Sequence, residues 1–358
     1  MMNKIAIMKN KIYRKLHFVF WQKLRPGRWS LYLYSSYRHY KLCGKRKYAE
    51  KQKEDGKELY LTEVPNSGAG IGHQLGNWNA GYWYAKLFGV KYAYSPFSNP
   101  AWNSFLGFGE GEVSAEQLLK KGYKKRKLPY FDEKSEKDVQ MIRDIIHSYA
   151  GKRIVFFLEL DQFYEKQYGI MDEIRKKFND APSREGEKLI YGKESLNIAV
   201  HIRRGDIVIG QENQHPDLTK RWLTTEYYVR ILKDIVKELE KKYPYKIYLF
   251  SQGTEQDFPE LKDIPNLVYC LDMPPRESFL HMVKADVLLT SKSSFSYKPA
   301  LMSDGVRICP AHFWHGYPET KEWIPVDEEK GMTPEQLKSL CEQIQQTEKR
   351  YGETHEHN

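Results

Sequence analysis

Cysteine is scarce in this chain of 358 residues. Cys43, Cys270, Cys309 and Cys341 are scattered, with no CxxC pair and none of the cysteine–histidine spacing that closes a zinc site. A disulfide scaffold and a structural zinc are not expected, and a reducing compartment fits. No uninterrupted apolar run reaches the roughly 18 residues that a membrane-spanning helix needs, and no apolar stretch with a small-residue cleavage site marks an export signal. The expected location is cytoplasmic. Acidic residues are almost missing from the first fifty positions, where thirteen Lys and Arg face Glu50 alone. That segment, residues 1–50, carries more than the whole net charge of +10 and leaves the rest of the chain slightly acidic. A nucleic-acid-binding body is therefore not expected.

What is present describes a soluble folded protein: 41% hydrophobic, 29% charged and 14% aromatic residues. The length exceeds one comfortable core, so two lobes follow. In the first segment Ile5, Met8, Ile12, Leu16 and Val19 recur at three- and four-residue steps, with Lys4, Lys9, Lys11, Arg14 and Lys15 between them. This is a basic amphipathic helix, continued by the aromatic cluster His17–Trp21. It either lies on an anionic membrane surface through residues 1–40, on the inner face of the cell membrane, or packs on the body with its charged face solvated.

A charged linker, Lys45 to Lys57, leads to a strand at Glu58–Glu63. Asn66–Gly76 then holds four glycines in eleven residues, ahead of a helical run from Asn77 to Phe88. Strand, glycine loop and helix is a layout that lets backbone amides approach a ligand, although such turns often only connect elements, and the GK[ST] ending of a P-loop is absent. A short strand-like piece lies within Lys91–Pro100. Residues 110–150 read as charged helix, with Lys120–Lys127 a solvated loop or face, and Arg153–Leu160 is a buried strand. Met171–Phe178 is a helix. The polar Ala181–Glu187 stretch is the domain boundary, giving lobes at 55–187 and 188–350. In the second lobe, strands at Leu196, Lys246–Phe250, Asn266–Cys270, Asp286–Thr290 and Gly305–Cys309 alternate with helices at Thr224–Tyr243, Thr254–Leu261, Pro275–Val283 and Ser296–Ser303. That alternation implies a parallel, doubly wound α/β sheet. Thr333-Pro-Glu-Gln336 caps a last helix.

The stretch Asn197–Asp206 carries the chemistry. Ile198, Val200 and Ile202 point to one face of an extended segment, and His201 and Arg203 to the other. Gly205 permits a sharp turn at the strand's carboxyl end, where ligands bind in open α/β sheets. Arg203 and Arg204 either form surface pairs with Asp206 or grip an anion, which the arginine fork suits. A second segment, Asp286–Ser296, runs from a strand into hydroxyl residues that place Ser293, Ser294 and Ser296 at a helix N-terminus, again favourable for an anion. Serine is also an ordinary N-cap. At the ends of two parallel strands, both segments converge on one anion, and the chain has no DxD motif to present a metal ion to it.

His201-Ile-Arg-Arg-Gly-Asp206, Ser293-Ser-Phe-Ser296 and Gly70-Ile-Gly-His-Gln-Leu75 resemble, in order and spacing, the three signature regions of the GDP-fucose-dependent fucosyltransferase superfamily, of the α-1,2/α-1,6 type. The resemblance spans roughly residues 60–315. It implies the GT-B fold: two Rossmann-like doubly wound lobes with the active site in the cleft between them, the N-terminal one on the acceptor side and the C-terminal one holding the nucleotide-sugar donor. It implies metal-independent, inverting transfer of fucose from GDP-fucose to a hydroxyl of a glycan or lipid-linked oligosaccharide, in surface polysaccharide synthesis, with no cofactor. Carried over residue by residue, Arg203 holds the β-phosphate of the leaving GDP, Arg204 supports the site and His201 lies near the nucleotide. Ser293, Ser294, Phe295 and Ser296 form the pyrophosphate loop, with Gly70 and Gly72 on the donor. Ser278 stands where these enzymes usually have the acid that reads guanine, with Glu277 beside it. His73 stands where asparagine is common and faces acceptor or sugar. The base for the attacking hydroxyl is Asp206 or His73, with Glu63 behind them. Two other readings stand beside this one: a transferase of the same fold using another nucleotide sugar, suggested by Ser278, and a non-enzymatic membrane- or nucleic-acid-binding protein, suggested by the basic N-terminus.

Overall fold

The computed structural model describes residues 29–43, 58–159, 167–208 and 216–355. The amphipathic helix expected before Trp29 and the linker before Glu58 lie outside the described residues. The described residues fall into two compact units. One takes those within Met1–Pro65, Asn77–Ser95 and Gly111–Phe163; the other takes those within Asn66–Gly76, Pro96–Glu110 and Tyr164–Asn358. Every strand pairing among the described residues is parallel, as the expected α/β class requires.

The first unit is built on a four-stranded sheet: β1 (Leu59–Glu63), β2 (Lys91–Tyr92), β3 (Lys124–Lys127) and β4 (Ile154–Leu158), in the order β2-β1-β4-β3. The apolar run Ile-Val-Phe-Phe-Leu of β4 is buried throughout, as a parallel strand covered on both faces should be. The Lys120–Lys127 stretch, expected as a solvated loop or face, is largely exposed and contains β3. Its Lys-Lys-Arg-Lys sequence has no apolar alternation to announce a strand, and it is held at the sheet edge by its ladder to β4. Lysines on an edge strand also discourage pairing with other chains.

The second unit holds a six-stranded sheet: β5 (Leu196–His201), β6 (Tyr245–Ser251), β7 (Leu267–Leu271), β8 (Val287–Leu289), β9 (Val306–Pro310) and β10 (Trp323–Val326), ordered β10-β9-β8-β5-β6-β7. Counted within this sheet, the order is 3-2-1-4-5-6, the doubly wound arrangement whose direction reverses between its first and fourth strands, here β5 and β8. Ile198, Val200 and Ile202 enter the core on one face of β5, against Tyr228, Ile231 and Ile235 of the crossover helix Thr225–Leu239. Full burial of each such side chain is worth about 1.5–3 kcal/mol relative to exposure. The opposite face of β5 presents His201.

Three boundaries differ from expectation. The segment Thr254–Leu261 forms two 3-10 turns, Glu255–Asp257 and Pro259–Leu261, because Pro259 cannot continue the first. β10 was not legible, being short and carrying Pro325; proline is tolerated there because the strand is at the edge. The helix expected from Asn77 begins at Ile71, so Gly72 and Gly76 are helical positions.

Candidate functional site

The site grows from the carboxyl ends of β5 and β8, the two strands that flank the reversal of strand order. β5 ends at His201, which is buried, and its Nδ1 is hydrogen-bonded to Ser291 Oγ at 2.8 Å. Burial, helped by the neighbouring Arg203 charge, pushes the imidazole down to about 3, so it is neutral across the physiological range. Arg203 follows on the same face. Its guanidinium donates to Ser293 Oγ at 3.3 Å and to both carboxylate oxygens of Asp206, at 3.3 and 3.0 Å. About a fifth of the Arg203 side chain is exposed, against three-fifths for Asp206.

Arg204 takes the opposite direction, as alternation demands. It is buried, donates to the carbonyls of Arg203 and Leu223 and to Thr225 Oγ1, and stacks 4.3 Å from the Trp222 ring. Its donors lock the loop beneath Arg203 instead of facing the same opening. Gly205 then turns the chain at φ +67°, a conformation that favours glycine.

From the other strand, Ser293 caps α1 (Ser294–Met302) by accepting from the Phe295 amide at 3.2 Å. Ser296 is fully buried, its hydroxyl tied to Ser291 and Ser293. Phe295 lies between the His201 and Phe279 rings, 5.6 and 6.0 Å away. Ser294 is part-exposed and bonds to His315 Nε2 at 3.2 Å. The glycine segment reaches the same place by packing: a Cβ on Gly72 would come within 2.9 Å of the Ser294 backbone, and one on Gly76 within 3.9 Å of Lys298 Nζ. Gly72 and Gly76 are one helical turn apart, as are Ser294 and Lys298, so two helix faces meet, and at Gly72 the separation is one that only glycine allows.

His201, Arg203, Ser293, Ser294, Phe295, Ser296 and Gly72 are thus brought together, and Asp206 joins them through Arg203. His73, one residue beyond Gly72, lies near enough to His315 for their charges to interact. Gly70 is exposed with open space around it. Glu277 is exposed on the first turn of Pro275–Lys284, while Ser278 is buried and donates to the Met273 carbonyl at 3.2 Å. Glu63 belongs to the first unit. It is buried at the end of β1, with Tyr92 donating to its two oxygens at 3.1 and 2.9 Å, and burial raises it to about 8. A protonated, enclosed carboxyl group is poorly suited to take a proton from a hydroxyl.

Sequence reasoning passed over Ser291, Gln167, Lys298 and His315. Ser291 repeats the spacing of the Arg203–Ser293 bridge and was recoverable. Lys298 is the one charged residue of its helix, among Tyr297, Pro299, Ala300 and Leu301, which was a signal of a buried polar role. Gln167 and His315 have no local pattern around them. Together the site offers a fixed guanidinium, a helix N-terminus and hydroxyl donors over a neutral buried imidazole, an arrangement that favours a multiply charged anion.

No protein-family model matches the chain, and no curated protein matches it. Among solved structures the chain is similar to the fucosyltransferase NodZ from Bradyrhizobium, at 10% identity and a TM-score of 0.37, over 69% of this chain and 94% of that one. It is similar to POFUT1 in complex with GDP, at 14% identity and a TM-score of 0.41, over 71% of this chain and 99% of that one. It is also similar to the E. coli ADP-heptose LPS heptosyltransferase II, at 12% identity and a TM-score of 0.38, over 81% and 99%.

Proposed function

We propose that the second unit binds a nucleoside-diphosphate sugar with its diphosphate over the ends of β5 and β8, and that the chain transfers the sugar to a glycan hydroxyl. The observation that carries this is the Arg203–Ser293 bridge at the reversal of strand order, with the His201–Ser291 bond beneath it. In the transfer, the acceptor oxygen attacks the anomeric carbon as the bond from that carbon to the phosphate oxygen breaks, and the departing diphosphate takes the electron pair. Arg203 and the start of α1 meet the charge that develops, which is where fixed donors lower a barrier most. They supply positive charge that a divalent ion brings in other transferases, so the transfer proceeds without metal. The acceptor proton passes to Asp206 or His73. The motifs around Arg203, Ser293 and Gly72 make GDP-fucose the donor in this reading. A lipid-linked oligosaccharide at an anionic membrane would suit the basic residues 1–40.

A second reading, another nucleotide sugar, is favoured by one observation: Ser278 spends its hydroxyl on Met273 and the neighbouring Glu277 is exposed, so neither is arranged as a guanine reader. Thermal shift with GDP, UDP and ADP in the presence of EDTA, followed by transfer from GDP-fucose, separates the two. Stabilisation by GDP with transfer supports the first; preference for UDP or ADP supports the second; no response to any nucleoside diphosphate sinks both. In the same assay Asp206→Asn and His73→Asn distinguish the two bases, the correct one lowering kcat by roughly 10²-fold or more.

A further inference from the structure

We propose that Lys298, Gln167 and His315 are positioning residues, a chain of hydrogen bonds that sets the direction of the Ser294 hydroxyl so that its proton is offered to the donor diphosphate. The inference rests on the donor-site reading above and adds three residues to it.

The direction follows link by link. Lys298 is buried on α1, one turn beyond Ser294, and its Nζ donates to Gln167 Oε1. With its oxygen turned to the lysine, the Gln167 amide presents Nε2 to His315 Nδ1 at 2.8 Å. An amide nitrogen only donates, so Nδ1 is the ring nitrogen without a proton. Burial, with the neighbouring Lys298 and Arg221 acting in the same direction, keeps the ring neutral, which places its one proton on Nε2. That N–H donates to Ser294 Oγ, 3.2 Å away. A hydroxyl that accepts from the imidazole keeps its own O–H for another acceptor, and Ser294 is the part-exposed member of an otherwise buried set. The ring plane is held by stacking on Tyr297 at 4.8 Å with 21° between the planes. Gly72 against Ser294 and Gly76 near Lys298 close the network from the neighbouring helix.

A set of groups that merely satisfied one another would work in either direction; here the Lys298 amine, which burial pushes toward its neutral form, still donates to Gln167 Oε1 and so sets one. Gln167→Glu reverses it with little change of shape. The carboxylate still accepts from Lys298 but cannot donate to Nδ1, so at pH 8.5 the imidazole proton moves to Nδ1, and Nε2 now accepts a hydrogen bond from the Ser294 hydroxyl. The test uses the full chain with GDP and inorganic pyrophosphate as probes, by titration calorimetry, together with ¹⁵N spectra of labelled histidine. In the wild type, His315 is expected as the neutral Nε2–H tautomer. Gln167→Glu is expected to switch the tautomer and weaken both probes on the order of tenfold, and to have no such effect when Ser294→Ala is already present. An Nδ1–H or cationic His315 in the wild type, a measurement that needs no variant to fold, overturns the proposal. So does an equal weakening in the Ser294→Ala background. If the wild type binds neither GDP nor pyrophosphate, the donor-site reading falls and takes the relay's purpose with it, even where the tautomer is as expected.

Discussion

His201 Nδ1 lies 2.8 Å from Ser291 Oγ, ninety positions away in the chain, and the Arg203–Ser293 bond at 3.3 Å has the same offset. The ladder of β5 and β8 closes at Val200↔Leu289. Beyond it the two loops stay in step, with side chains instead of backbone groups as the rungs. The lower rung is dry and neutral; the upper one carries the guanidinium and reaches solvent. Charge is thereby held at one height above the sheet, which is the condition for binding an anion without first reorganising the loops.

Arg203 therefore meets the anion and Arg204 holds the loop, and the two should fail differently. Arg203→Ala is expected to lower kcat/KM for the transfer by roughly 10²- to 10³-fold with little change in Tm. Arg203→Lys keeps the charge but loses the fork, and should recover only part of the activity. Arg204→Ala should unfold the chain at lower temperature, since it strips donors from buried carbonyls and a contact from Trp222. Steady-state kinetics and thermal melts of the three variants check this; full transfer activity in Arg203→Ala would remove the assignment.

Gly72 gives a second test, because its role is contact and not flexibility. Gly72→Ala puts a methyl group within 2.9 Å of the Ser294 backbone, so the start of α1 must shift. The expected outcome is a loss of about 1–3 kcal/mol of stability, with weaker GDP binding. Gly68→Ala, in the turn ahead of the helix and with nothing within 4 Å, is the control and should change neither. Denaturant unfolding and calorimetry decide; equal behaviour of the two variants would detach the glycine segment from the site.

How much of this was readable follows from where each signal resides. Most strands of the second unit announce themselves through short apolar runs such as Ile247–Phe250 and Val287–Leu289, and the alternation at Asn197–Asp206 separates Arg203 from Arg204. β3 and β10 escape the same reasoning: one is all basic and the other contains proline, and both are strands only because a neighbour supplies their hydrogen bonds. The glycine segment shows a subtler failure. Glycines at 72 and 76 suggest a loop, yet both are helical, and the missing side chain of Gly72 is used for close approach. His315 and Gln167 could not be found at all, since residues 148 positions apart join through a single hydrogen bond that leaves no periodic mark.

Glu63 makes the sharpest statement about pH. Burial raises its carboxyl from an ordinary 4.5 to about 8, and hydrogen bonds from backbone amides and the Tyr92 hydroxyl relieve this only in part. Between those two values the folded chain keeps the proton while the unfolded chain releases it, so unfolding releases a proton in that window. Stability must then fall as pH rises from about 4.5 and level off above about 8, the reverse of the behaviour of a carboxylate held in an ion pair. The span corresponds to a few kcal/mol at most, on the order set by about 1.4 kcal/mol per pH unit of difference. Glu63→Gln cannot ionise and still offers an oxygen to Tyr92, so it should match the wild type near pH 5 and exceed it near pH 9. Thermal melts of both proteins from pH 5 to 9 check this; parallel curves would mean that the carboxyl ionises freely in the folded state and is not enclosed at the end of β1.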